Sequence, residues 1–225
     1  MEERKIDQEA FIQKYAGQKE LSYRILRVPI AFLTGILYRP IAYGVEKIPD
    51  GPVVIAINHR EAPDPGFIIR ALRKRTVRFL AADKFHKGPF GFLFRMALTI
   101  PVDRSRHSPE VIAAADEILR RGGIVAIFPE GTRNRSEEEI LLPFRFGAVA
   151  LARNNGAYIV PCVNTGRYRP FRSRVETYFG EPYRIEKDAD LEKENEKLYR
   201  IMYDMYVKYG KEDPKLDKIR KRDEV

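Results

Sequence analysis

From residue 49 onward, short apolar runs alternate with longer amphipathic stretches, a pattern few architectures accommodate. "PVVIAIN" (52–58), "VRFLAAD" (77–83), "LTIPVD" (98–103), "GIVAIFP" (123–129) and "AYIVPCVN" (157–164) read as buried strands bounded by turn residues. A further strand is expected near 175–179. The intervening stretches 65–74, 89–97, 109–121 and 146–155, and then 191–209, carry helical patterning. Helices alternating with strands predict an α/β class: a single domain with a largely parallel central sheet flanked by helices. Ligands of such sheets collect beyond the carboxyl ends of the strands, which is where "NHREAPD" and "PEGTRNRS" fall.

The first 48 residues differ from this. "LSYRILRVPIAFLTGILYRPIAYGVEKIP" holds an uninterrupted apolar or neutral run only over 28–38, edged by Arg27 and Arg39. A spanning helix needs about 20 apolar residues, so the expectation is an amphipathic helical segment lying in a membrane interface, its arginines near lipid phosphates. An ordinary core-packing helix has the same periodicity. Residues 1–48 are therefore taken as an N-terminal helical, membrane-interfacial segment, 49–210 as the main α/β domain, and 211–225 as a charged, solvated tail. No secretory signal is apparent at the charged N-terminus.

At 225 residues the chain fits one domain with a substantial core. Hydrophobic residues at 44% argue against global disorder even with 32% charged residues. The formal charge of +9 favours an anionic partner: nucleic acid, anionic lipid, a phosphorylated substrate or an acidic carrier protein. The single cysteine, Cys162, lies in a strand-like run and reads as a buried free thiol in a reducing, cytoplasmic setting.

In "INHREAPDPG" (57–66), His59 and Asp64 stand five residues apart where a strand is expected to end. Asp64 before Pro65 suits the cap and first turn of a helix. A carboxylate accepting from one imidazole nitrogen would leave the other free to take a proton from a hydroxyl; a loop histidine beside a helix cap is the plainer alternative. "FPEGTRNRS" (128–136) follows the strand "GIVAI". There Gly131 relieves a tight turn, and Glu130, Thr132 and Arg133 set a carboxylate, a hydroxyl and a guanidinium together. Arg133 has the planar fork that suits phosphate, and an internal Glu130–Arg133 ion pair is the structural alternative.

Together these motifs resemble the glycerophospholipid acyltransferases, most of all the 1-acylglycerol-3-phosphate (lysophosphatidic acid) acyltransferases. "NHREAPD" is similar to that family's NHxxxxD block, and "FPEGTR" to its second hallmark without substitution. "ADKFHKGPFGFLFRMALTIPVDR" (81–104) looks like the substrate-binding region between them, "LLPFRFGAVALA" like a later Phe-basic-Gly-Ala segment, and "IVPCVN" like the late Val-Pro strand. Phe85 follows Lys84 where many members carry an acid, and Ala97 stands where glycine is frequent; both bear on the identity of the acceptor.

The resemblance implies direct acyl transfer. His59, oriented by Asp64, takes the proton of the sn-2 hydroxyl of a lysophosphatidate as it attacks an acyl thioester, giving phosphatidate and a free thiol. Arg104 and Arg133, with help from Lys84, would bind the acceptor's phosphate; Glu130 would organise Arg133 or partner a hydroxyl, and Gly131 and Thr132 would complete the substrate-binding loop. No cofactor is implied, because acyl-coenzyme A or acyl-carrier protein is the donor substrate, and either is compatible with the chain. No metal site is suggested: His59, His86 and His107 lack helical ligand spacing. The expected partners are a lysophospholipid, a membrane surface on the cytoplasmic side and, through the basic charge, an acyl carrier protein. "RYRPFRSR" (167–174) is a second basic patch for lipid; no nucleic-acid module accompanies it, so nucleic acid is not expected as a partner. Another acceptor (glycerol 3-phosphate, another lysophospholipid or a glycolipid), or hydrolysis of an ester or thioester, is the competing chemistry.

Overall fold

A computed structural model describes residues 7–103, 108–172, 174–211 and 213–223. Arg104 and His107 lie outside the described residues.

Seven strands form one sheet: β1 (Ile41–Tyr43), β2 (Val53–Ile57), β3 (Val77–Ala82), β4 (Ile100–Val102), β5 (Ile124–Ile127), β6 (Tyr158–Gly166) and β7 (Val175–Phe179), in the order β1-β7-β6-β2-β5-β3-β4. Only the β6–β7 pair is antiparallel. The apolar runs explain the order. All five residues of β2 are fully buried, as a central parallel strand covered on both faces must be, whereas the alternating burial of β7 marks a strand with one face outward.

Nine helices surround the sheet among the described residues: α1 (Gln8–Tyr15), α2 (Leu21–Tyr38), α3 (Asp64–Ala71), α4 (Asp83–Lys87), α5 (Gly91–Met96), α6 (Pro109–Arg120), α7 (Gly147–Asn154), α8 (Leu191–Tyr209) and α9 (Pro214–Asp223). One buried cluster joins Val54, Ala56 and Val125 to α6, α7 and α8. The other joins Ile55, Ile57 and Phe79 to Ile68 and Ile69 of α3 and Tyr23 of α2. The α/β class and the largely parallel sheet expected from the sequence are thus present.

Three details differ from expectation. Strand β1 comes from the N-terminal segment and pairs with β7, so that segment contributes to the sheet; three residues are too few for a periodicity to show. Asp64 does not cap α3: the helix begins at Asp64 itself, after Pro63, and its carboxylate reaches backward into the preceding loop. The expected solvated tail is a helix instead, with Leu216 2% exposed and Ile219 8% exposed. Two apolar residues at i and i+3 are enough to seat α9 even though its composition is overwhelmingly charged.

Helix α2 runs longer than the apolar stretch, because Arg24 and Arg27 are accommodated within it. By length and composition it is long and apolar enough to cross a membrane. Its Tyr23, Leu26 and Thr34 nonetheless face the fold, while Leu21, Ile25, Val28, Phe32, Leu33 and Ile36 are exposed. The inner face touches α3 closely. A Cβ on Gly66 would come within 2.7 Å of Thr34 Cγ2, and Arg70 of α3 donates to the Ala31 carbonyl.

Candidate active site

The site forms where β2, β5 and β6 end. The polypeptide leaves β2 through Asn58, beside Asn164 near the end of β6, and these two buried residues bind one another. Asn58 Nδ2 donates to the Asn164 carbonyl at 3.1 Å, and Asn164 N–H donates to Asn58 Oδ1 at 2.7 Å. The clamp leaves Asn164 Nδ2 pointing at Asp64 Oδ1, 3.3 Å away.

Asp64 is fully buried and accepts from five donors. Oδ2 takes His59 Nδ1 at 3.0 Å and the N–H groups of Arg60 and Glu61, both at 2.8 Å. Oδ1 takes Asn164 Nδ2 and the Tyr168 hydroxyl, the latter at 2.6 Å. Donors arriving from both sides fix the orientation of the carboxylate. Burial, reinforced by the Asp64 charge, pushes the Tyr168 phenol well above its ordinary range, so it stays a donor. With Nδ1–H committed to Asp64, His59 carries its lone pair on Nε2. The ring stacks on Phe128 with centroids 4.0 Å apart and its side chain is 16% exposed. A largely enclosed imidazole with a fixed tautomer is equipped to accept a proton from a bound hydroxyl.

The second loop holds the first from below. Glu130, 4% exposed, accepts His59 N–H at 2.7 Å and Leu142 N–H at 2.9 Å. Burial raises its pKa, and these two backbone bonds counter the rise. Among the described residues Glu130 forms no ion pair with Arg133; each of its carboxylate oxygens accepts one backbone N–H instead, which ties the two loops together. Gly131 turns the loop at φ +68°, and a Cβ there would come within 2.7 Å of the Arg145 side chain. Asn134 N–H closes the unit by donating to the His59 carbonyl at 2.6 Å.

Thr132 is exposed beside this turn. Arg133 lines a cleft of about 500 Å³ with Arg60, Glu61, Ser136, Lys215 and Lys218. Lys84 is not among them: it stands exposed after β3, two strands from β2, with Nζ over the Phe85 ring. Phe85 stacks on Phe94, centroids 5.3 Å apart, so the aromatic residue at that departure from the family pattern packs locally. Among the described residues no three His, Cys, Asp or Glu side chains converge as a metal site. Cys162 is buried in β6, and burial drives its thiol pKa up, so it is not placed as a nucleophile.

Sequence reasoning missed Asn164, Tyr168, Arg60, Asp213 and Lys215. A signal for the first existed: "PVVIAIN" and "YIVPCVN" both end an apolar run on asparagine. Tyr168 was concealed inside a stretch read as a basic patch. Arg60 is held in an ion pair with the fully buried Asp213, which also accepts from Gly166 N–H and from the Tyr206 hydroxyl.

The chain is similar to several known proteins. The 1-acyl-sn-glycerol-3-phosphate acyltransferase of Borreliella burgdorferi is 31% identical over 204 residues, covering 84% of this chain and 78% of that protein. That of Pseudomonas aeruginosa is 30% identical over 142 residues, 61% of this chain; the match spans about half of the relative, 53%. The crystal structure of the 1-acyl-sn-glycerophosphate (LPA) acyltransferase PlsC from Thermotoga maritima superposes with a TM-score of 0.66 over 90% of this chain and 89% of that one. At 18% identity that likeness speaks to the fold. Residues 39–165 match the Acyltransferase family; they contain both loops that fix His59, and the chain belongs to that family.

Proposed function

We propose that the protein transfers an acyl group from a thioester donor to the sn-2 hydroxyl of a 1-acylglycerol 3-phosphate, forming phosphatidate at a membrane surface. The observation that carries this reading is the His59 Nδ1 to Asp64 contact at 3.0 Å, held by five donors beside a cation-lined cleft. His59 Nε2 takes the hydroxyl proton as the oxygen attacks the thioester carbonyl. The tetrahedral adduct collapses, the C–S bond breaks, and the proton held on His59 passes to the departing thiolate. A thioester is already activated, so positioning by the cleft supplies much of the remainder. The names of the relatives support the acceptor, and acyl-coenzyme A and acyl-carrier protein are both within the proposal as donors.

The acceptor is a lipid, and α2 presents the matching surface. Its exposed Leu21, Ile25, Val28, Phe32, Leu33 and Ile36 form an apolar face suited to lying in an interface. Phe171, 63% exposed, extends it, because its N–H donates to the Leu37 carbonyl at 2.7 Å. Arg167, Arg172 and Arg174 stand exposed nearby, each able to add about 1 kcal/mol of attraction to an anionic leaflet. Peripheral or monotopic attachment to the inner, cytoplasmic face belongs to the same proposal.

The test is acyl transfer by purified protein on lysophosphatidate-containing liposomes, with each donor offered separately and His59→Ala alongside. Phosphatidate from the wild type is expected, with a loss of about 10²–10⁴ in turnover for the folded variant. A His59→Ala enzyme that keeps most of its turnover would overturn the base assignment. Free fatty acid in place of phosphatidate would identify a hydrolase, and product only with another lysolipid would replace the acceptor.

A further inference from the structure

The cleft beside His59 contains a lysine that the fold does not use. Lys215 Nζ is buried and makes no hydrogen bond, and among the described residues neither Lys215 nor Arg133 forms an ion pair. Of the other cations of the cleft, Arg60 is tied to Asp213 and Lys218 lies 3.3 Å from Glu137, while Arg135 is exposed to solvent. An enclosed ammonium without an acceptor is costly, and a bound anion removes that cost. Lys215 belongs to α9, outside the family-matched residues 39–165.

We propose that Lys215 is a phosphate-binding residue that, with Arg133, seats the acceptor's phosphate in this cleft. The inference rests on the acyl-transfer reading above. Arg60 and Glu61, which follow His59 directly, and Asn134, whose N–H is bound to the His59 carbonyl, form the wall of the cleft nearest the base. In a lysophosphatidate the phosphate is on the carbon adjacent to the one bearing the attacking hydroxyl. A seat this close to His59 therefore fits the acceptor, whereas the donor's phosphates lie a full pantetheine arm from the thioester. A phosphate monoester is close to a dianion at neutral pH, which matches a paired guanidinium and ammonium. The groups facing Lys215 are Arg60, Glu130, Asp213 and Glu139; burial and Arg60 lower its pKa to about 8, so it is still a cation at pH 7.

The experiment is calorimetric titration of glycerol 3-phosphate, the soluble headgroup, into full-length wild type, Lys215→Gln and Lys215→Arg, with steady-state kinetics on lysophosphatidate vesicles. The glutamine variant is expected to bind glycerol 3-phosphate about ten- to a hundredfold more weakly. Its KM for lysophosphatidate should rise similarly while its KM for the acyl donor stays fixed, with much of both losses restored by arginine. Wild type that does not bind glycerol 3-phosphate, or a glutamine variant indistinguishable from it, overturns the proposal. So does a rise in donor KM alone, which would give the cleft to the donor's phosphates. Lys215-dependent binding without transfer to lysophosphatidate would keep the phosphate seat and reject the reaction.

Discussion

Asp64 owes its position to residues roughly a hundred places away in the chain. Tyr168→Phe removes the 2.6 Å hydroxyl donor while keeping the ring that packs on Phe67. Losing a hydrogen bond to a buried charge costs about 1.5–3 kcal/mol, so the expected result is a lower melting temperature and a roughly tenfold fall in kcat with little change in KM. Steady-state kinetics beside a thermal melt checks it. Lys215→Met tests the burden of an enclosed cation. The unfolded lysine titrates near 10.5 and the folded one near 8; below pH 8 both states are protonated and the native state carries the full desolvation penalty. Between pH 8 and 10.5 the unfolded chain holds more protons, so wild-type stability rises with pH relative to the variant. The methionine variant should melt above wild type at pH 7, and the difference should shrink toward pH 10.5. His59, Asp64 and the Gly131 turn were legible because each lies in a contiguous motif. Tyr168 and Lys215 were not, because each reaches the site through tertiary contacts that no local spacing encodes; Asn164 had a local signal, but its pairing with Asn58 is visible only in the fold.

At the scale of elements, α3 has two duties. Its first residue is the carboxylate partner of His59, and two residues further it packs against α2, where Gly66 admits Thr34. Gly66→Val should force these helices apart at about 1–3 kcal/mol, the usual cost of overpacking. For a chain of this length that is a fall of several degrees in melting temperature, with activity falling further because Asp64 moves with the helix. Replacing Phe32 and Ile36 with aspartate tests the outer face of α2 without touching its packing. Sedimentation with liposomes should show the double variant left in the supernatant, its melting temperature close to wild type. The core strands and α8 were readable from periodicity; β1 was too short to show a period, and α9 was masked by its charge.

Across the whole molecule, the pair between Arg60 and Asp213 closes a loop of contacts from the end of β2 to the last helix. Asp213→Ala leaves a buried guanidinium unpaired, a defect worth about 3–5 kcal/mol, and calorimetry should record a drop on the order of 10 °C. Lysophosphatidate KM should rise as well, since Asp213 anchors the segment that carries Lys215. The one-sided apolar face of α2 has a further consequence for the units in which the acceptor is counted. An enzyme resting on a bilayer samples a two-dimensional solution, so its rate follows the mole fraction of lysophosphatidate in the leaflet rather than its bulk molarity. Diluting that lipid with inert phosphatidylcholine at constant lysophosphatidate molarity would slow each turnover, whereas concentrating vesicles of unchanged composition beyond saturation of the protein would not quicken it.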